Sequence, residues 1–568
     1  MNPNGKSFHH IFFKKQVIAG SVLSIVLLFA LVLTSRDIGF VRDEGYYFKA
    51  SGDYLAWFSS IADLMGTKRW KQPFSDQEIT RQWSYNSEHP ALVKEMQALT
   101  FWLFKRKLNL FNNSTSFRLG SMLFSIVLCL ALFGLGSRIY NTRVGIMAVI
   151  LLFTMPRVFF HAHLACFDVP ITAMTVLVAY AYYRARKEPR WVLYTGIFFG
   201  LAVATKHNGW FLLPTLALWW LIEGGIIQRK GTGRFSLPPV PLALISMALL
   251  GPIIFLAHWP WLWHHTWERI VGYFSFHLHH VSYPVEYFGK ILSKPPFPFS
   301  FPFVMSALTV PALTLFLALL GVLFVCIRFF EHFSPRPHAT YLMREQESKE
   351  LAGGFFIILN CIVPFLIIAV PSIPIFGGVK HWLPAMPFLA LLAAKGMDML
   401  FRAAMAMLSR PGKKMMASAY ILMGGLAAMP AVIGTWLYLD NGTAFYNEIA
   451  GGAKGGAELG MMRQFWGYAS MQAMPWLNRN ATKGARVHFH NTNWDSVRMY
   501  KRDNLLRKDI KQADKLENAD YFLFHNQAPM LADEYHCWSS FRTEKPVFGV
   551  YKEEAPILVV YKRTEKPN

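Results

Sequence analysis

The chain has 568 residues, of which 53% are hydrophobic and only 16% are charged, and its mean hydropathy is +0.27. Because the apolar residues come in long blocks, this composition excludes an ordinary soluble enzyme and indicates a multi-pass membrane protein. The formal net charge of +23 does not call for a nucleic-acid partner, since Lys and Arg accumulate in the cytoplasmic loops of membrane proteins. The five cysteines form no CxxC motif, so neither a disulfide framework nor a zinc site is indicated.

About eleven apolar segments are predicted to be transmembrane helices. The first runs from about Gln16 to Thr34 and is interpreted as an uncleaved span. The others lie at roughly 116–137, 144–161, 168–183, 191–205, 208–223, 237–258, 303–327, 352–371, 381–399 and 416–438. When the N-terminus is placed in the cytoplasm, every cytoplasmic connection between spans carries Lys or Arg, as the positive-inside rule requires.

Two domains are predicted, a mainly α-helical transmembrane domain at 1–439 and a small C-terminal α/β domain at 440–568. The first outer loop is placed at about 35–116. In the C-terminal part, strands are predicted at 485–490, 521–524 and 557–561, with helices around 458–477 and 494–515. An odd number of spans precedes this part, which places it on the outer face. Its Gly-rich run, 451–456, lacks the spacing of a nucleotide-binding loop and is interpreted as a flexible entry to the domain.

Two adjacent carboxylates, Asp43 and Glu44, follow the first span by a few residues. Burying charge at the edge of a membrane is costly, so carboxylates there are functional candidates. The alternative is that the pair only caps an interfacial helix.

Polar and ionisable residues gather at the predicted outer ends of the other spans. These residues are Asp43, Glu44, His89, Lys94, His161, His163, Asp168, Lys206, His207, His258, His264, His265, Lys380 and His381. A transporter would place such groups near mid-membrane, on a path that opens to both sides. Their predicted position at one face therefore favours an enzyme site at the outer membrane surface.

Several of these residues have two interpretations each. His89 and Lys94 flank a proline-started turn and could donate hydrogen bonds to a phosphate, or Lys94 could simply snorkel from the turn. Lys206, Lys380 and His381 could neutralise an anionic head group, or anchor the spans at the interface.

A divalent metal is the one cofactor that the residue types suggest. His161, His163 and Asp168 could ligate such an ion. Two histidines at i and i+2 diverge on a helix, so a site of this kind requires irregular backbone.

Together these motifs resemble the type-C glycosyltransferases, the superfamily that contains the protein O-mannosyltransferases (glycosyltransferase family 39) and the lipid A aminoarabinose transferases. Three features carry the resemblance: Asp43-Glu44 outside the first span, the element from His89 to Lys94 late in the first loop, and Asp168 after the third span. It covers roughly residues 10–400. Ala91 stands where the family pattern usually has a second proline.

The resemblance implies a sugar transfer from a polyprenyl-phosphate donor to a hydroxyl or phosphate of a lipid, glycan or protein acceptor at the outer face. Asp43 is expected to act as general base in an inverting displacement, with Asp168 organising the site. Glu44 is expected to position the acceptor or to hold the loop. The donor phosphate is expected to contact a cationic set, which consists of His89, Lys94, Lys206, Lys380 and His381.

Two other functions remain open at this stage. One is a transporter or flippase of a lipid-linked sugar, and the other is a non-catalytic scaffold whose outer domain binds cell-wall components. For the leading interpretation, the expected partners are the lipid-linked donor, the acceptor and membrane lipids, with no nucleic acid. The expected location is the cytoplasmic (inner) membrane, with the N-terminus in the cytoplasm and the site outside.

Overall fold

The computed structural model describes residues 3–224, 238–333, 341–408 and 412–564. Most of them are helical. The helices are α1 Pro3–Thr34, α2 Arg42–Leu64, α3 Asp76–Trp83, α4 Leu92–Thr100, α5 Asn113–Ile139, α6 Thr142–Phe153, α7 Pro156–His163, α8 Asp168–Ala185, α9 Arg190–Val203, α10 Leu212–Ile222, α11 Leu242–His258, α12 Thr266–Leu278, α13 Phe301–Thr309, α14 Ala312–Phe333, α15 Tyr341–Ala369, α16 Met386–Ala406, α17 Lys413–Leu437, α18 Gly452–Glu458, α19 Ser470–Asn480, α20 Trp494–Arg502 and α21 Leu531–Phe541. The strands are β1 Val285–Tyr287, β2 Lys290–Leu292, β3 Arg486–Phe489, β4 Lys511–Gln512, β5 Tyr521–His525, β6 Phe548–Lys552 and β7 Ala555–Lys562. The predicted class, a mainly helical membrane protein with a small C-terminal sheet, is confirmed.

Within the described part of the chain, six helices are long and apolar enough to cross a membrane. They are Lys15–Asp37, Asn113–Ile139, Ala312–Glu331, Ser348–Ala369, Leu383–Ala406 and Lys413–Leu437. A seventh span results if α6 and α7, which meet at 77°, are counted as one. The bend falls at Pro156, the first residue of α7, which has no N–H to continue the preceding helix. Other predicted segments correspond to shorter apolar helices, such as α9 and α11, or are divided, as at Pro311 between α13 and α14.

The centre of the bundle is formed by α8 and α16, which are buried along most of their lengths. α8 packs against α5 and α9, and α16 packs against α14. A Cβ added at Gly396 of α16 would lie 2.0 Å from the Leu317 carbonyl oxygen, and one at Gly321 of α14 would lie 2.1 Å from that of Leu392. Small residues thus let these two helices approach closely, as is typical of membrane bundles. The rigid core fixes the ends of α8 and α16.

The predicted first outer loop contains α2, α3 and α4, and α2 packs against both α4 and the C-terminal helix α20. The contact with α20 requires Gly45. A Cβ at this position would lie 2.6 Å from Asn493 Oδ1 and 2.7 Å from Ser496 Oγ. The first loop and the C-terminal part of the chain are therefore in direct contact.

The C-terminal sheet has the strand order β4-β3-β5-β7-β6. β3 runs parallel to β4 and β5, whereas β7 is antiparallel to both β5 and β6. The three predicted strands correspond to β3, β5 and β7. The sequence missed β4, which has only two residues, and β6, whose side chains are only partly buried.

Three expectations for this region were wrong in detail. The helix predicted around 458–477 is α19, which begins only at Ser470. The helix predicted at 494–515 ends at Arg502, and β4 occupies Lys511–Gln512. The Gly-rich run is not a flexible entry but the start of α18, where the Glu553 carboxylate accepts a hydrogen bond from the Ala453 N–H at 2.8 Å.

Candidate functional site

Four charged side chains meet where α2, α8, the turn after α9 and the turn before α16 come together. Lys206 Nζ donates a hydrogen bond to Asp168 Oδ1 at 2.8 Å. Lys380 Nζ lies 3.6 Å from Asp43 Oδ2. These residues are widely separated in the sequence, and the packing of the bundle places them in two neighbouring acid–base pairs.

Asp43 is the accessible carboxylate of this cluster, with 20% of its side chain exposed. It is the second residue of α2, where a negative charge interacts favourably with the helix dipole. Arg42 Nε lies 3.8 Å from Asp43 Oδ1. Asp43 therefore has cations on two sides and still faces solvent.

Lys380 is buried against aromatic rings. Its Nζ lies 4.2 Å from the ring centroid of Trp466 and 4.8 Å from that of Phe376. Burial lowers the pKa of Lys380 below its ordinary value of 10.5, although the nearby Asp43 and Asp168 carboxylates favour its charged form. The ammonium is thus poorly hydrated, and its attraction to an anion is stronger than it would be in water.

Asp168, the first residue of α8, is buried and paired with Lys206. His161 Nδ1 lies 3.9 Å from Asp168 Oδ2, and the His161 ring packs edge-on against Trp466 at 5.3 Å. Asp168 is thus enclosed by positively charged and aromatic side chains.

The suggested metal ligands do not come together. His163 faces away from Asp168, because its Nε2 is hydrogen-bonded to Thr34 Oγ1 at 2.8 Å and its Nδ1 to the Phe159 carbonyl at 2.8 Å. Within the described ranges, no group of three or more His, Cys, Asp or Glu side chains could hold a metal ion. The metal site suggested for His161, His163 and Asp168 is therefore wrong.

Glu44 has no exposed side-chain surface and forms a two-pronged ion pair with the buried Arg118. Arg118 Nε and Nη2 donate to Glu44 Oε1 and Oε2, each at 2.8 Å. The carboxylate also accepts hydrogen bonds from the Val41 N–H at 3.1 Å and the Ala165 N–H at 2.8 Å. All these contacts are internal, so of the two roles expected for Glu44 they favour holding the loop.

Lys94 is also turned inward. Its Nζ donates to the carbonyl oxygens of Asn86 at 2.8 Å and His89 at 2.9 Å, and lies 3.4 Å from Asn86 Oδ1. Burial lowers the pKa of Lys94 to about 7. Its three donor positions are used within the loop, so these contacts favour a structural role.

His89 and His381 are partly buried beside the cluster, and each has a ring nitrogen without a partner among the described residues. His89 Nδ1 and His381 Nε2 have no hydrogen-bond partner among the described residues. Burial lowers the pKa of His89 well below its ordinary value. Neutral His89 can therefore donate to a ligand from only one ring nitrogen.

A small groove is lined by residues that neighbour the two lysines in the sequence. Its lining is mostly apolar and comes from α10 and α15, with Asn208, Asn360 and His381 among the polar groups. Asn208 lies two residues after Lys206, and His381 directly follows Lys380. Apolar side chains near a charged cluster are the chemistry that suits a lipid with an anionic head group.

Sequence reasoning missed the role of Trp466. This residue lies far outside the transmembrane segments, and its backbone has φ +72°. Its carbonyl accepts a hydrogen bond from the Arg42 N–H at 2.9 Å, while its ring contacts Lys380 and His161. Nothing local in the sequence distinguishes Trp466 from the other tryptophans.

Residues 89–261 match the family model described as dolichyl-phosphate-mannose-protein mannosyltransferase. The resemblance to type-C glycosyltransferases is confirmed. The matched range includes His89, Lys94, Asp168 and Lys206, whereas Asp43 and Lys380 lie outside it. Among curated protein sequences, none matches the chain.

Solved structures of similar shape include the ArnT protein from Cupriavidus metallidurans in its apo state. It has 12% identity and a TM-score of 0.49, over 95% of this chain and 97% of that one. The same protein bound to undecaprenyl phosphate has 13% identity and a TM-score of 0.45, over 96% and 97%. The Archaeoglobus fulgidus oligosaccharyltransferase in its apo form has 11% identity and a TM-score of 0.45, over 90% and 70%.

Replacing Glu44 by Gln should destabilise the protein by about 3–5 kcal/mol, because Arg118 would keep a buried charge without a counterion. Thermal unfolding in detergent measures this change. Asp63→Asn, near the exposed end of α2, is the matched control and should leave stability unchanged. A Glu44→Gln protein that is as stable as the wild type would contradict the structural role of Glu44.

Proposed function

We propose that this multi-pass membrane protein is a glycosyltransferase that moves a sugar from a polyprenyl-phosphate donor to a hydroxyl or phosphate of a lipid, glycan or protein acceptor. The main support for this proposal is the pair of acid–base contacts, Asp43 with Lys380 and Asp168 with Lys206, near an apolar groove. The match of residues 89–261 to a mannosyltransferase family model supports the same chemistry.

The charge of the cluster fits this donor. When the neighbouring Arg42 is included, Arg42, Lys206 and Lys380 supply three positive charges, against two negative charges from Asp43 and Asp168. The surplus matches the single negative charge of a sugar phosphodiester. When the bond between the sugar carbon and the phosphate oxygen breaks, the leaving phosphate gains a second negative charge. Lysines with little water around them would stabilise that developing charge.

Asp43 would act as the general base, because it is the accessible carboxylate of the cluster. It would take the proton of the acceptor hydroxyl while the acceptor oxygen forms its bond to the sugar carbon. A single displacement of this kind inverts the anomeric centre. A retaining route would need a second carboxylate as nucleophile. Asp168 is buried and hydrogen-bonded to Lys206, which suits it to orienting that lysine.

The positive-inside pattern supports a site and a C-terminal domain on the extracytoplasmic side of the inner membrane, with the N-terminus in the cytoplasm.

A cysteine introduced at exposed Ala62 should react with an impermeant thiol reagent on right-side-out vesicles. One at exposed Lys187 should react only on inverted vesicles. Both variants carry Cys326→Ser, since Cys326 is itself exposed. The reverse labelling pattern would contradict this orientation.

Asp43→Asn should reduce sugar transfer by about 10²–10⁴-fold, because the acceptor would lose its base. Binding of the donor should change much less. The assay uses reconstituted protein, radiolabelled polyprenyl-phosphate mannose and a membrane extract as acceptor source, with Asp63→Asn as the control. Unchanged transfer by Asp43→Asn would refute the assigned base.

The transfer rate should fall at alkaline pH with a midpoint below 10.5, because burial lowers the pKa of Lys380 and the neutral amine binds phosphate weakly. Lys380→Arg keeps its charge at high pH, so its alkaline limb should move upward. Lys68→Arg, at an exposed position, is the matched control. An unchanged midpoint in Lys380→Arg would show that another group controls the alkaline limb.

A further inference from the structure

A run of three basic residues extends helix α4 in the predicted first loop. α4 continues directly into a π-helix, Phe101–Lys107, whose last turn contains Lys105, Arg106 and Lys107. Exposed leucines lie at both ends of this segment, and residues 99–110 are here called the basic arm. The basic arm contains three Lys or Arg and no Asp or Glu, so its formal net charge is +3.

The π-helix places two of these cations beside aromatic rings. Residues five apart are neighbours in a π-helix, because its hydrogen bonds join residues i and i+5. Arg106 Cζ lies 5.6 Å from the ring centroid of Phe101, and Lys107 Nζ lies 5.6 Å from that of Trp102. Both cations are exposed. The rings therefore hold them at the surface, where their N–H groups can reach a ligand.

No carboxylate neutralises the basic arm. Among the residues that the structure describes, its three basic side chains form no ion pair, and Lys105 Nζ donates to Asn109 Oδ1 at 2.8 Å. The sequence contains no Asp or Glu between Glu95 and Asp168. Neighbouring positive charges repel one another, so an anion from outside the chain would stabilise this arrangement.

The basic arm lies beside the start of a membrane span. The ring of Phe101 stacks on that of Phe117 in α5, with the centroids 4.1 Å apart. α5 is one of the helices that are long and apolar enough to cross a membrane, and only residues 108–112 separate it from the π-helix. In the proposed orientation this loop is extracytoplasmic, so the positive-inside rule does not account for its three cations.

Apolar side chains accompany the cations at the surface. The exposed fraction is 52% for Leu99, 38% for Trp102, 52% for Leu108 and 60% for Leu110. An anion dissolved in water would leave these side chains uncovered. A lipid would cover them with its acyl chains while its phosphate binds the cations, and exposed Trp and Leu with Lys and Arg are typical of segments at a membrane surface.

We infer that the basic arm is a binding site for an anionic phospholipid, in the leaflet that the first loop faces. Arg106 and Lys107 would donate hydrogen bonds to the phosphate oxygens, and Trp102 and the exposed leucines would contact the acyl chains. Because the basic arm continues α4, a bound phospholipid would hold the first loop at the bilayer surface. The site does not depend on the proposed transfer reaction.

Photo-cross-linking on the full-length protein in phosphatidylcholine nanodiscs tests this site. The probes are phosphatidylglycerol and phosphatidylcholine with the same diazirine-bearing acyl chains, and labelled positions are mapped by mass spectrometry of chymotryptic peptides. Phosphatidylglycerol should label residues 99–110 about fivefold or more above phosphatidylcholine, because Lys and Arg near a bilayer attract anionic head groups. Glycerophosphoglycerol, the same head group without acyl chains, should not compete with this labelling.

A triple variant removes the three charges, and a matched triple variant removes as many from exposed positions of the C-terminal domain. The first variant should label equally with both lipids, and the control should keep the preference for phosphatidylglycerol. The substitutions are Lys105→Gln, Arg106→Gln and Lys107→Gln, and in the control Lys483→Gln, Lys508→Gln and Lys511→Gln.

Three outcomes would overturn the site. Equal labelling of the wild type by both lipids would show an ordinary lipid contact without recognition of charge. No labelling of residues 99–110 would show that the basic arm does not face lipid. Competition by glycerophosphoglycerol as effective as that by phosphatidylglycerol would show a site for soluble anions.

Discussion

The buried ion pair between Glu44 and Arg118 is the interaction on which the site depends. Arg118 also donates to backbone carbonyls of the segment that joins α1 to α2, so a single side chain organises that whole turn. Glu44 directly follows Asp43, and its carboxylate binds the N–H of Ala165, three residues before Asp168. One ion pair therefore fixes the backbone that carries both carboxylates of the site. Its burial makes the arrangement rigid, because neither charge can be left unpaired there.

The three lysines near the site differ in role: one stabilises a loop, and two contact the carboxylates of the site. Lys94 donates its hydrogen bonds within the loop that contains His89, whereas the Lys206 and Lys380 ammonium groups lie beside the carboxylates of Asp168 and Asp43. An ammonium group that contacts one carboxylate oxygen keeps further N–H donors for a phosphate oxygen. In the proposed function, these free donors would bind the head group of the anionic lipid donor.

The C-terminal part of the chain completes the site. The Trp466 carbonyl binds the first N–H of α2, and its ring covers Lys380. The close contact at Gly45 joins α2 to α20. The first loop and the C-terminal helices thus meet near Asp43, whereas the groove proposed for the donor lies among membrane helices. Asp43 stands at the junction of these two regions.

The sequence by itself determined the membrane class, the main strands of the C-terminal sheet and the presence of carboxylates after the first span, because apolar block length and strand patterns are local properties. Only the tertiary structure separated Asp43 from Glu44, since the partner that buries Glu44 comes from another helix. It also turned Lys94 and His163 inward and brought Trp466 to the site. Whether a side chain is free to bind a ligand depends on the hydrogen-bond partners that distant segments of the chain supply. The spacing of residues along the sequence does not predict these long-range contacts.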